Sequence, residues 1–463
     1  MDILRHTLAP ALAFLEELPN RRVAARASFA ELERILGGPL PEHGSEPAAV
    51  IDALARGADA GLVASAGPRY YGFVTGGSLP VATAADLLVS AWDQNAALHV
   101  MSPAVSAIES IAARWLLDVL ALPADASVGF VTGAHTANVT ALAAARHAVL
   151  RRAGWDVEAL GLQGAPRVTV LAGREAHTSI GAACRMLGLG ASTIVRIDAD
   201  NQGRMRPAAL AAALASSSGP RIVCAQAGNV NTGASDPFLE IVPLARAHGA
   251  WVHVDGAFGL WAAAAPSRRS QVAGVETADS WTTDGHKWLN VPYDSGVVVT
   301  ADPAAHRAAM SQSAAYLIAA ADEERDGMDW TPEASRRARA VPIYAVLRSL
   351  GRAGVADLVE RCCRLAARMA DGLRAHPRVA ILNDVVLNQV LVRISGADGA
   401  NVTPAVIAAV QRDGTCWCGG TSWDGEAAMR ISVSNWSTTD SDADRSVEAI
   451  LRAAGTAGAR SSA

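Results

Sequence analysis

Residues 251–290 read WVHVDGAFGLWAAAAPSRRSQVAGVETADSWTTDGHKWLN. The apolar run that ends at Asp255 has the form of a buried strand delivering one carboxylate, and Lys287 stands in a Ser/Thr/Gly/His-rich turn beside His286. Both charged side chains are expected to be buried.

A buried charge is costly unless something compensates it. Singly, a strand-end aspartate capping a turn and a loop lysine are the ordinary readings. Together they ask for a shared ligand, and one that compensates both is pyridoxal 5′-phosphate. Its aldehyde condenses with a lysine amine, and its ring nitrogen stays protonated opposite an aspartate, which makes the ring an electron sink.

HVDGAFG followed about thirty residues later by ADSWTTDGHKWLN resembles the cofactor signature of the group II pyridoxal-phosphate decarboxylases, which include aromatic-amino-acid, glutamate and cysteine-sulfinate decarboxylases. The resemblance implies the fold type I, aminotransferase-like architecture, with Lys287 holding the cofactor, Asp255 facing its ring nitrogen, and Ala257 and His286 in contact with it.

Upstream, continuous apolar runs alternate with helical ones: SVGFVT, RVTVLAG, STIVRI, RIVCAQAG and AWVHVDG. This predicts an α/β fold with a mostly parallel central sheet and helices on both faces. Ligands collect at the carboxyl ends of such strands. There Thr132–Asn138 closes the first strand and opens a helix, so Gly133, Ala134 and His135 are expected to cradle a phosphate on free N–H groups and the positive dipole end. By resemblance His177 stacks on the pyridine ring and reaches the substrate carboxylate. Asn229 or Asn231, in AQAGNVNTGASDP, stands near the position that bonds the ring hydroxyl or the aspartate.

The resemblance extends over about residues 10–453. It includes SPAVSAIESIAARWLLDVLALP, an amphipathic helix from Ala107 to Leu120 stopped by Pro123. It places Phe73, Val74 and Thr75 in the substrate side-chain pocket. Arg430, in MRISVSN, is implied to pair with the substrate carboxylate, a task for which a planar fork of donors is suited. Three regions are expected: a helical segment 1–66 lying on a partner subunit, a cofactor-binding domain 67–340 and a small C-terminal α/β domain 341–463.

At 463 residues, with 51% apolar and 18% charged residues, the chain can bury a large core and is not disordered. A net charge of −5 without Lys/Arg runs argues against nucleic acid or an anionic membrane surface as partner. LAPALAFLEEL is interrupted by Glu16 and Glu17 and is too short to span a bilayer, so a cytoplasmic protein is expected. Six cysteines make no disulfide framework, and the Cys416/Cys418 pair has no second cluster with which to bind metal.

The expected activity is decarboxylation of an L-amino acid to an amine and carbon dioxide, with His177 and Arg430 clamping the substrate so that the bond to the carboxylate stands perpendicular to the ring. An aminotransferase shares the lysine, the aspartate and the fold but has a different signature. A non-enzymatic pyridoxal-phosphate-binding regulator would normally carry a basic DNA-binding region, which is absent from the sequence. Family decarboxylases also carry a loop tyrosine that protonates the substrate carbon. Anchoring the loop on Tyr316-Leu317 and Arg336-Arg337 puts Asp326–Asp329 in its place, and no tyrosine lies between Tyr316 and Tyr344. Oxidative deamination to an aldehyde, or elimination from an S-substituted cysteine, are therefore the alternatives. A homodimer with shared active sites is implied by the resemblance.

Overall fold

The computed structural model describes residues 2–312 and 324–457, so Tyr316 and Leu317 lie outside the described residues. The chain forms two compact units. One comprises Met1–Gly77, Ala367–Leu382 and Leu391–Ala463, the other Ser78–Ala366 and Asn383–Val390.

The helices along the chain are α1 (Asp2–Glu17), α2 (Phe29–Leu36), α3 (Pro47–Asp59), α4 (Pro80–Trp92), α5 (Pro103–Val119), α6 (Ala134–Arg152), α7 (Val157–Leu160), α8 (Thr178–Met186), α9 (Pro207–Ser216), α10 (Phe238–Ala247), α11 (Pro303–Met310), α12 (Ala340–Arg374), α13 (Thr403–Asp413) and α14 (Asp440–Ala457). The larger unit is built on β1 (Ser127–Val131), β2 (Thr169–Gly173), β3 (Val195–Ile197), β4 (Arg221–Gln226), β5 (Trp251–Asp255), β6 (Ser280–Asp284) and β7 (Gly296–Thr300), in the spatial order β1-β7-β6-β5-β4-β2-β3. Parallel ladders join β3, β2, β4, β5 and β6, and β7 alone runs against the rest.

Buried strands rich in Val and Ile suit a sheet covered on both faces. β1, β5, β6 and β7 are buried at every position. On one side Leu142, Val149 and Leu150 of α6 pack with Ile180 and Cys184 of α8 against Val170, Ile222 and Trp251 of the sheet. Each such side chain contributes roughly 1.5–3 kcal/mol by leaving water.

Strand β6 has no counterpart in the sequence reading, which took this stretch for a turn. Its SWTTD lacks the apolar pattern of its neighbours, yet it is buried throughout. Each hydroxyl finds a partner: Ser280 with Trp251 and His253, Thr282 with Asn138, and Thr283 with the Ala257 carbonyl. Burying a hydroxyl is tolerable when it is hydrogen-bonded.

The smaller unit carries a four-stranded sheet in the order β10-β11-β9-β8, from β8 (Val379–Ile381), β9 (Gln389–Ile394), β10 (Gly419–Trp423) and β11 (Glu426–Ser432). Leu391, Trp423 and Ala428 form a local core there. The N-terminal segment breaks near Pro19 and around residues 37–46, leaving α1, α2 and α3 without a single buried residue. All six cysteines are buried free thiols. Among the described residues no helix is long and apolar enough to cross a membrane.

Candidate active site

The parallel pairing of β5 with β6 sets Asp255 beside Thr282 at the carboxyl ends of both strands. Beneath Asp255 runs a buried relay. Trp251 Nε1 donates to Ser280 Oγ (2.9 Å), Ser280 Oγ to His253 Nδ1 (3.0 Å), His253 Nε2 to Asn138 Oδ1 (2.9 Å) and Asn138 Nδ2 to Asp255 Oδ2 (3.2 Å). Thr282 Oγ1 also donates to Asn138 Oδ1 at 2.9 Å. Burial pushes His253 down to about 4, so its ring is neutral, with one nitrogen donating and the other accepting, as the relay requires.

The second carboxylate oxygen, Asp255 Oδ1, accepts from Ala257 N at 3.2 Å. Ser179 Oγ lies 3.4 Å from Asp255 Oδ2 and 2.8 Å from His177 Nδ1. His177 is an exposed residue that caps α8 through Ser179 N, so one imidazole edge is fixed.

Lys287 departs from expectation. Its side chain keeps 21% exposure, and its amine is already compensated inside the protein by Asp284, which is only 2% exposed: Nζ lies 3.1 Å from Asp284 Oδ2. Asp284 Oδ1 takes the Ala134 N–H at the start of α6 at 2.6 Å, and His286 Nε2 stands 3.6 Å from Oδ2. The backbone of Asp284 donates to the Ala257 carbonyl, tying the HVDGA turn to the DGHK turn. His286 stacks on Tyr293 at 4.3 Å, accepts from Ser295 N, and is lowered by burial. The sequence reading missed Asp284; the signal was a second acid three residues before the lysine.

Gly133 fits the expected phosphate turn for a steric reason. A Cβ at Gly133 would meet His286 Cε1 at 3.1 Å, and one at Gly296 would fall 2.4 Å from Gly133 Cα. Ala134 N–H is already taken by Asp284. The N–H groups of His135 and Thr136, one residue exposed and the other half-buried, have no acceptor among the described residues.

The remaining expected residues divide. Asn229 is fully buried, its Oδ1 accepting within its own loop from Asn231 N and Thr232 N, and its Nδ2 donating to the distant Glu175 O. An Asx turn has used the group that sequence position alone offered to a ring hydroxyl. In the smaller unit Phe73 is 65% exposed, whereas Val74 and Thr75 are buried. Tyr70 stacks on Trp417 and Phe73 packs against it with its ring tilted by 32°, and Gly72 leaves room for that indole, since a Cβ there would fall 2.2 Å from its ring. Trp417 had no signal as a site residue. Arg430, opposite Gly419 in the β10–β11 ladder, is half-buried and has no ion-pair or hydrogen-bond partner among the described residues. Burial lowers its guanidinium from the usual range, and an anion would offset that cost.

Asp326–Asp329 does not present itself as a catalytic loop. Gly327, Met328 and Asp329 are buried, Asp326 Oδ1 accepts from His99 N, and Met328 N donates to Ala97 O. Arg325 and Arg336 both pair with the buried Glu109, at 3.1 and 2.6 Å, fastening this stretch to α5.

Pyridoxal phosphate requires an amine, an anion facing its ring nitrogen and free N–H groups for its phosphate. Lys287, Asp255 and the start of α6 supply these, and the residues present fit the cofactor. No group of acids, histidines or cysteines able to hold a metal occurs among the described residues.

Comparison with known proteins agrees. The pyridoxal-dependent decarboxylase conserved domain matches residues 32–395. L-2,4-diaminobutyrate decarboxylase of Rhizobium meliloti (strain 1021) is 30% identical over 426 residues, covering 89% of this chain and 83% of that protein. Phenylacetaldehyde synthase of Arabidopsis thaliana is 23% identical, covering 90% and 88%. The fold of Oryza sativa TDC, solved with PLP and tryptamine, superposes with a TM-score of 0.91 at 24% identity over 98% of both chains. The chain belongs to the pyridoxal-dependent decarboxylase family and is a pyridoxal-phosphate-dependent carboxy-lyase acting on an amino acid.

Proposed function

We propose that the chain decarboxylates an L-amino acid with a large apolar or aromatic side chain, working as a cytoplasmic homodimer. Among the described residues, the observation that carries the catalytic part is the juxtaposition of Lys287, Asp284 and the α6 N-terminus with the Asn138-braced Asp255. Lys287 binds the cofactor's aldehyde, Asp255 faces its ring nitrogen, and the N–H groups of His135 and Thr136 take its phosphate. When bound, the cofactor supplies an electron sink for the bond broken at the substrate's α-carbon.

The protein's own groups do the rest. His177 offers an imidazole oriented by Ser179, and Arg430, whose side chain lacks a partner among the described residues, receives the substrate carboxylate in a bidentate grip. Phe73 against Trp417 offers an apolar aromatic surface, and the neighbouring stretch PRYYGFVTGGS holds no acid to greet a second ammonium group. The dimer is supported by Leu4, Leu8, Leu12 and Leu15, exposed along one stripe of α1, because a contiguous apolar face of this kind asks for cover.

A carbonyl product is the second reading. It is favoured by the absence of tyrosine between Tyr316 and Tyr344, since a well-placed general acid contributes roughly a hundredfold or more, and a relative bears the name phenylacetaldehyde synthase. Incubating the purified enzyme with the common L-amino acids, following carbon dioxide, oxygen and product mass together, tests both. Equal carbon dioxide and amine with no oxygen uptake establishes the plain decarboxylase. Release from diamino acids but not aromatic ones sinks the side-chain assignment.

A further inference from the structure

Asp284 is out of place in a phosphate cradle. Its carboxylate is nearly sealed from solvent and occupies the first N–H of α6, that of Ala134, at 2.6 Å. Its other oxygen holds Lys287 Nζ at 3.1 Å and stands 3.6 Å from His286 Nε2. A carboxylate at a helix N-terminus is favourable in itself. The same position beside an incoming phosphate, which carries close to two negative charges, sets like charges together in a poorly solvated setting.

We propose that Asp284 is the resident anion of the cofactor cradle. It keeps the α6 N-terminus and Lys287 in register before loading, and it sets how tightly phosphate is held. This rests on the reading of the α6 start as the phosphate site. Two features make the arrangement a device rather than an ordinary ion pair. Lys287, while paired to Asp284, is an ammonium with no lone pair to offer an aldehyde, so the pair must open for the cofactor to be captured. Once the amine is committed elsewhere, Asp284 loses its nearest cation and keeps the Ala134 N–H, with the His286 ring nearby disfavoured as a cation by its burial. Loading is thus resisted by Asp284 and favoured by whatever neutralises it. Asparagine at the position keeps the acceptor for Ala134 N–H and removes the charge.

The test uses full-length protein stripped of cofactor. Thermal shifts with inorganic phosphate and absorbance titrations with pyridoxal phosphate give dissociation constants for the wild type, Asp284→Asn and Lys287→Ala. Phosphate is expected to bind Asp284→Asn roughly tenfold or more tightly than the wild type. Lys287→Ala, which leaves the carboxylate without its cation, is expected to bind phosphate more weakly than the wild type. This second variant keeps the test open if Asp284→Asn does not fold. Equal phosphate constants for the wild type and Asp284→Asn, or phosphate binding in Lys287→Ala as tight as in the wild type, overturn the inference while leaving the cradle in place. Phosphate that binds no variant overturns the cradle reading and this inference with it.

Discussion

Asn138 Nδ2 donates to Asp255 Oδ2 across 3.2 Å, joining the first turns of α6 to the end of β5. The same carboxamide accepts from His253 and Thr282, so its removal strands two buried donors and takes one of its donors from the Asp255 carboxylate. Asn138→Ala is expected to lose about 2–3 kcal/mol of stability and to cut kcat/KM by more than its effect on the folded fraction explains. Urea denaturation beside steady-state kinetics measures both, and an unchanged denaturation midpoint counts against the relay.

Lys287 is the expected point of covalent attachment. Borohydride reduction of the holoenzyme followed by peptide mass analysis should place the label on a peptide containing Lys287, and Lys287→Ala should abolish labelling. Label recovered on another residue refutes the assignment.

Arg430 has no partner among the described residues and bears a burial cost that an anion would relieve. Arg430→Lys keeps the charge but loses the fork, so turnover should fall roughly tenfold to a hundredfold while the visible absorbance of the bound cofactor stays intact. Kinetics equal to wild type remove Arg430 from the site.

Acid should unfold the protein through its buried histidines. His253 is lowered from 6.5 to about 4 and His306 to about 3, both by burial. The unfolded chain therefore binds protons that the native state refuses, and the contribution present above 6.5 is lost as pH falls toward those values. Asp236 acts in the opposite sense: burial raises it from 3.8 to about 6, so its contribution is lost as pH rises through that range. The two histidines, displaced further, should prevail, and stability should fall from pH 6.5 to 4.5 with unfolding linked to net proton uptake. A stability that rises over that interval contradicts the assignment.

Much of this was legible in the chain. HVDGAFG and DGHKWLN carry their chemistry in contiguous residues, so an aspartate at a strand end and a lysine in a turn could be read without coordinates. What escaped was whatever depends on a partner distant in sequence. SWTTD looked like a loop because the groups that satisfy its hydroxyls come from β5, α6 and the turn after β5. Asp284 was quoted inside the motif, yet its meaning lies in Ala134, 150 positions earlier. Asn229 shows the converse: its own turn engages the side-chain oxygen that sequence position offers to a ligand. Trp417 gained significance only because Gly72 opens a slot for it.

The brace at Asn138 also has a bearing on how the chain is made. Its partners Ser179, His253, Asp255 and Thr282 follow it by 41, 115, 117 and 144 positions. As the chain is synthesised from its N-terminus, α6 is complete long before any strand exists to satisfy the carboxamide it buries. The early strands must wait, with apolar surface uncovered, until β6 has emerged. A nascent or truncated chain ending before Thr282 is therefore the form most exposed to aggregation and most dependent on chaperones. The catalytic floor closes when β6 docks, one strand before β7 joins β1 to the sheet and completes it.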